Sequence, residues 1–196
     1  MMAIQVNGYQ TLLRQQYDTY DHWRDFCLTH GINVDFAHGN QCWDVPALLW
    51  FQYGLSFLTG NGYAYGTWVF MRDHNAKLPF IKVGDDSLPA MERKKLIKRG
   101  DCVVFANSSL NYTGHVAFAD EDYNGTDSLN CLGQNQGQGS SYGTPSNVKP
   151  KSLRLFLGAF RNTNWIAPEP PPIIRKPEEK PFPWVIYARK FRNGLR

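Results

Sequence analysis

The side chains in this sequence best suited to covalent chemistry are its four cysteines, Cys27, Cys42, Cys102 and Cys131. No two form a Cys-x-x-Cys pair, which excludes zinc-ribbon and thioredoxin patterns and leaves reduced, separate thiols. Cys42 stands out because it falls just before an apolar stretch with Pro46 in its first turn, the pattern of a buried helix. A thiolate there faces unpaired backbone N–H groups and the positive end of the helix dipole, both of which lower its pKa. Asp44 is the expected N-cap and orders the turn that holds the sulfur.

A thiol nucleophile needs a base. Of five histidines, His22, His30, His38 and His74 fall in the N-terminal helix or in polar loops, and only His115 opens a short β segment. In Gly114-His115-Val116-Ala117-Phe118, Val116 and Phe118 face one side of the strand while His115 and Ala117 face the other. Downstream, Leu132-Gly133-Gln134-Asn135-Gln136-Gly137 ends the next segment, and Asn135 is placed to fix the imidazole tautomer. Cys42, His115 and Asn135 thus follow the Cys, His, Asn order of papain-like thiol proteases. The expected chemistry is an imidazolium–thiolate pair whose sulfur attacks an amide carbonyl. Each residue alone has a plainer reading, as buried filler or a satisfied strand histidine.

These residues need elements to carry them. Leu12, Leu13, Tyr17, Tyr20, Trp23 and Cys27 recur at helical spacing and predict a helix over residues 9–29, closed by His30 and Gly31, with the stripe packed as core. A polar loop leads to the second helix, residues 44–58, apolar nearly all round and therefore buried. Beyond Gly100 the period shortens, and β segments are predicted over 102–106, 114–119, 128–134 and 153–160. Helices followed by a run of strands read as an α+β fold, with N-terminal helices packed on a twisted antiparallel sheet.

Composition divides the chain. Its 196 residues suit one domain with an extension: residues 1–166 as the catalytic domain, 167–183 as a proline-rich linker, and 184–196 as a short basic segment. The formal charge of +4 resides wholly in residues 167–196, which hold seven basic and three acidic side chains. A neutral body argues against a nucleic-acid partner, whose basic stripe belongs on the folded domain. The tail suits an anionic wall polymer or a solvated end. No apolar run nears the roughly 18 residues of a membrane span.

Four short motifs in register carry a resemblance. Gln41-Cys42-Trp43-Asp44, Gly100-Asp101-Cys102-Val103-Val104-Phe105, Gly114-His115-Val116-Ala117 and Leu132-Gly133-Gln134-Asn135 resemble the successive signatures of CHAP domains. These are the cysteine, histidine-dependent amidohydrolases/peptidases found among peptidoglycan hydrolases and phage endolysins. The resemblance, over about residues 30–160, implies a papain-like α+β fold and cleavage of an amide bond in bacterial peptidoglycan, as an amidase or an endopeptidase. It casts Cys42 as nucleophile, His115 as general base, Asn135 as orienting residue and Gln41 as an oxyanion donor. Many relatives have a glutamate at the place of Gly133, so the third role falls to Asn135 or to another side chain, with Asp120 and Asp127 as alternatives.

Asn33, Asp35 and Asp44, with the carbonyls of Ala37 and Gly39, also resemble the calcium loop of some members, the alternative being a metal-free Asx turn. Tyr63, Tyr65 and Trp68 are candidates for a substrate groove or for core. The chain is expected to act as a monomer. Its N-terminus shows neither the basic nor the apolar region of a signal peptide, which suggests synthesis in a host cytoplasm and action on the wall after release. Two other classes fit the residues: a non-catalytic wall-binding or phage structural module of this fold, and a thiol protease acting on proteins.

Overall fold

A computed structural model describes residues 4–6, 9–11, 17–53, 63–68, 79–84 and 87–166. The expected linker and basic segment lie outside them. Two sheets are present. A small one has the order β2-β1-β3, from β1 (Ile4–Val6), β2 (Tyr9–Thr11) and β3 (Ile32–Asn33). The main sheet has six antiparallel strands in the order β4-β9-β5-β6-β7-β8. They are β4 (Phe80–Lys82), β5 (Cys102–Phe105), β6 (His115–Ala119), β7 (Ser128–Gly133), β8 (Asn147–Ser152) and β9 (Phe156–Asn162). With its helices this is the α+β architecture expected.

Helix α1 (Tyr20–Thr29) is shorter than the spacing suggested. Thr19, extended at φ −136°, accepts the His22 N–H and starts the helix there, while Tyr9–Thr11 pairs with β1 instead. Tyr20, Trp23 and Cys27 form its buried face. Helix α2 (Asp44–Gln52) is enclosed from Asp44 through Trp50, as its lack of a polar face requires. Its N-cap is Trp43, without a side-chain cap bond, so Asp44 is the first helical residue. Helix α3 (Ala90–Lys94) follows Pro89.

Strand alternation gives the main sheet two apolar faces. Cys102, Val104, Val116, Phe118, Leu132 and Phe160 pack against Trp23, Leu48, Leu49 and Trp50. Val103, Ala117, Ala119, Leu129, Cys131, Phe156 and Ala159 form the other face, with Ile97 and Val83. Two strands escape sequence patterning. β8 (Asn147–Ser152) is polar and carries Pro150, which an edge strand tolerates because one row of its N–H groups is unpaired. β4 is only three residues long.

A half-buried ion pair joins the start of β5 to the end of β9. Arg161 donates through Nε and Nη2 to Asp101 at 2.7 and 2.8 Å, and Asp101 also accepts the Lys98 N–H at 2.8 Å. Among the described residues, no helix is long and apolar enough to cross a membrane.

Candidate active site

Cys42 lies just before α2, and the backbone N–H groups of Val116 and Trp43 lie near enough to its sulfur to favour the thiolate. Val116 directly follows His115 on β6, so the backbone group nearest the sulfur is one residue from the imidazole. The strands open to allow this: β6 and β7 pair at Phe118–Leu132 and Ala119–Cys131 but not beyond, toward His115 and Gly133. No hydrogen bond joins Sγ to the ring in this structure. Catalytic hydrogen bonds are often long before substrate binds.

Burial decides the electrostatics of the pair. Cys42 keeps 8% and His115 9% of their surface. Loss of solvent pushes the thiol up to about 11, against the pull of the two N–H groups and of Lys151. Burial pushes the imidazole down to about 4, and the Lys151 charge adds to this. The helix N-terminus therefore does not win, and at neutral pH both the Cys42 thiol and the His115 imidazole are neutral. That differs from the ion pair expected, because low dielectric penalises both charges.

The residues after β7 grip both partners. Gln134 is enclosed; its Oε1 accepts the Ile32 N–H at 2.7 Å, and its Nε2 donates to the Ile32 carbonyl at 2.8 Å and the Gln41 carbonyl at 3.1 Å. Asn135 adopts the left-handed region at φ 52° and is exposed, while Gln134 and Gln136 on either side of it are buried. Asn135 donates to Gln41 Oε1 at 2.9 Å and makes no bond to the imidazole. The ring partner is Gln136, whose Oε1 lies 3.0 Å from His115 Nε2. A cue existed in the run Gln134-Asn135-Gln136, where three successive amides offered three candidates and the familiar motif drew attention to the middle one.

Neither alternative carboxylate meets the ring. Asp120 accepts from Tyr20 Oη and Arg24, and Asp127 pairs with Lys94 at 3.5 Å. Gln41 donates through Nε2 to the His38 carbonyl, so its amide is engaged within its own loop.

The loop of residues 33–44 is closed by its own side chains. Asn33 Oδ1 accepts the Phe36 N–H, and Asp35 Oδ1 the Ala37 N–H, at 2.8 and 2.9 Å. Asp44 accepts the N–H of Val34 at 2.9 Å and of Gln41 at 2.6 Å. Phe36 and His38, either side of Ala37 and before Gly39, sit at φ 60° and 57°. Among the described residues no three acidic, histidine or cysteine side chains converge. Asp44 is enclosed, and these oxygens hold the loop closed on its own N–H groups, so the Asx turns of the alternative reading are present.

Of the aromatic candidates, Trp68 is buried, 5.1 Å from Phe160 between ring centroids. Tyr63 is exposed, stacked on Tyr65 at 5.7 Å and edge-on to Tyr112 at 6.0 Å. The cluster borders Gly114, next to His115: a Cβ on Gly114, at φ 69°, would stand 2.8 Å from Tyr65 Cβ.

The fold has a counterpart among solved structures. The endolysin LysIME-EF1 superposes with a TM-score of 0.53 at 19% identity, over 72% of this chain and 62% of that one. The fold is endolysin-like. The chain thus matches less than two thirds of that endolysin's length. Two structures of Ly7917, one with the hydrolysis product of MDP, align over 53% of this chain and 55% of theirs at 17% and 19% identity. Their TM-score of 0.28 is too low to support a conclusion. No family model matches the chain, and no curated protein matches it.

Proposed function

We propose that this chain is a peptidoglycan hydrolase that cuts an amide bond of the bacterial wall with Cys42 as nucleophile and His115 as general base. The observation that carries this reading is that Cys42 lies just before the buried helix α2 with the Val116 N–H, one residue from His115, near its sulfur. The endolysin-like fold and the CHAP-like motifs supply the substrate class.

The resting pair is neutral, so attack and proton transfer are coupled. As the sulfur bonds to the amide carbon, its proton passes to the ring, and the N–H groups of Val116 and Trp43 offset the charge passing through sulfur. The oxyanion is held by the Cys42 N–H and by Gln41 once its amide leaves the His38 carbonyl. The protonated ring then gives its proton to the departing amine, and water, with the ring again as base, releases the acyl group and restores the thiol. The exposed Tyr63, stacked on Tyr65 beside Gly114, supports a place for the glycopeptide. The basic tail is the proposed contact to anionic wall polymer, tested by the salt dependence of wall binding.

A second reading, a wall-binding module without catalysis, is favoured by the slight exposure of both side chains. Loss of turbidity of Gram-positive walls separates the two. Lysis by the wild type and none by Cys42→Ala supports the hydrolase, whereas binding without lysis by either supports the module.

A further inference from the structure

The place of the motif glutamate is taken by Gly133, and the space this leaves is filled. A Cβ built on Gly133 would stand 3.2 Å from Gln136 Cδ, 3.2 Å from Gln136 Nε2 and 3.2 Å from Ala117 Cβ. The Gln136 amide therefore occupies ground that a larger residue at 133 would claim.

Its orientation is fixed by what surrounds it. Nε2 donates toward the carbonyls of Cys131 at 3.0 Å, Gly133 at 3.2 Å and Asn147 at 3.0 Å, with Asn147 Oδ1 at 3.3 Å. All four are acceptors, so a flipped amide would set oxygen against oxygen in an enclosed site. Gln136 Oε1 must face His115 Nε2, and because an amide oxygen cannot donate, Nε2 must carry the ring proton. Asn147 is the register partner of Gly133 on β8, and it donates to Gln138 Oε1, which accepts the Gln136 N–H at 2.7 Å. The backbone of two strands thus sets the amide.

Building on the thiol mechanism proposed above, we propose that Gln136, seated in the space left by Gly133, is the positioning residue that holds His115 as its Nε2-protonated tautomer. Nδ1 is then the one basic atom of the ring and takes the thiol proton. A neutral amide orients the ring without contributing charge, unlike a carboxylate at 133. Gly133 and Gln136 form an exchangeable pair.

Nitrogen-15 NMR of histidine-labelled protein reads the tautomer without any substrate. The wild type is expected to show His115 protonated at Nε2, and Gln136→Ala to show a mixture of tautomers. The double variant Gly133→Glu/Gln136→Gly is expected to raise the His115 titration midpoint by about one unit or more, as a carboxylate near the ring favours the charged form. Gly133→Glu alone, which crowds Gln136, is expected to disturb the tautomer. An Nδ1-protonated wild type, or the wild-type tautomer retained in a folded Gln136→Ala, overturns the proposal. An Nδ1-protonated wild type overturns the proposal even if a variant does not fold, and Gln136→Glu, which keeps the side-chain length, gives a second variant expected to raise the His115 midpoint. Failure to cut peptidoglycan would instead defeat the functional reading and leave this spectrum unchanged.

Discussion

The backbone N–H of Val116 lies near the Cys42 sulfur and pulls its pKa down, which brings the strand that carries His115 up to the turn that carries Cys42. The clamp that holds the Cys42 turn in place is Gln134, bridging Ile32 and the Gln41 carbonyl.

Gln134→Ala leaves the enclosed N–H and C=O of Ile32 without partners. The expected loss is about 1–3 kcal/mol in denaturant unfolding, together with weaker wall hydrolysis from a loosened Cys42 turn. An unchanged midpoint would show that the clamp does not hold the turn.

The thiol, pushed up to about 11, fixes how Cys42 reacts with pH. Its alkylation by iodoacetamide, followed by mass of the Cys42 peptide, should climb steadily from pH 7 to pH 10. A plateau reached near neutrality would reveal a resting thiolate and restore the ion pair.

Two enclosed groups give stability opposite slopes with pH. His115, held down to about 4 against an ordinary value of 6.5, leaves the unfolded chain with more bound protons between these values. Stability is then lost as pH falls from 6.5 toward 4, by roughly 3 kcal/mol at most. Asp44, pushed up by burial to about 8 from 3.8, acts the other way, losing stability as pH rises between those values. Subtracting the unfolding curve of His115→Gln from that of the wild type isolates the imidazole. A difference that stays constant between pH 4 and pH 6.5 would contradict its depressed titration.

Tyr63 and Trp68 should separate cleanly. Trp68→Ala empties a core position against Phe160 and should cost about 3–5 kcal/mol. Tyr63→Ala should leave the melting temperature nearly unchanged and weaken sedimentation with purified walls. Equal wall binding by Tyr63→Ala and wild type would remove that face from substrate recognition.

Calcium gives a further check. Because the oxygens of Asn33, Asp35 and Asp44 accept backbone N–H bonds, chelation should not move the melting temperature. A rise on adding calcium to chelator-treated protein would mean that the loop rearranges around an ion.

The parts of this fold written in short-range pattern were legible in the sequence. The enclosed helix after Cys42 showed in its lack of a polar face, and the alternation around His115 gave both faces of β6 correctly. What escaped depends on partners distant in the chain. Residues 9–11 fit a helical stripe until β1 offers them a ladder, and the polar β8 becomes a strand only because β7 stands beside it. At the site, the motif pointed to Asn135, and one left-handed residue transferred the contact to Gln136. The thiol pKa was misjudged for a similar reason, since a helix N-terminus is visible in sequence and the depth of burial is not.

The most direct measurement is mass analysis of purified Gram-positive peptidoglycan digested by the wild type and by Cys42→Ser, with the fold of both checked by circular dichroism. The mechanism predicts new amine and carboxyl ends at one kind of amide bond with the wild type and none with the variant. The same cut products from folded Cys42→Ser would contradict it.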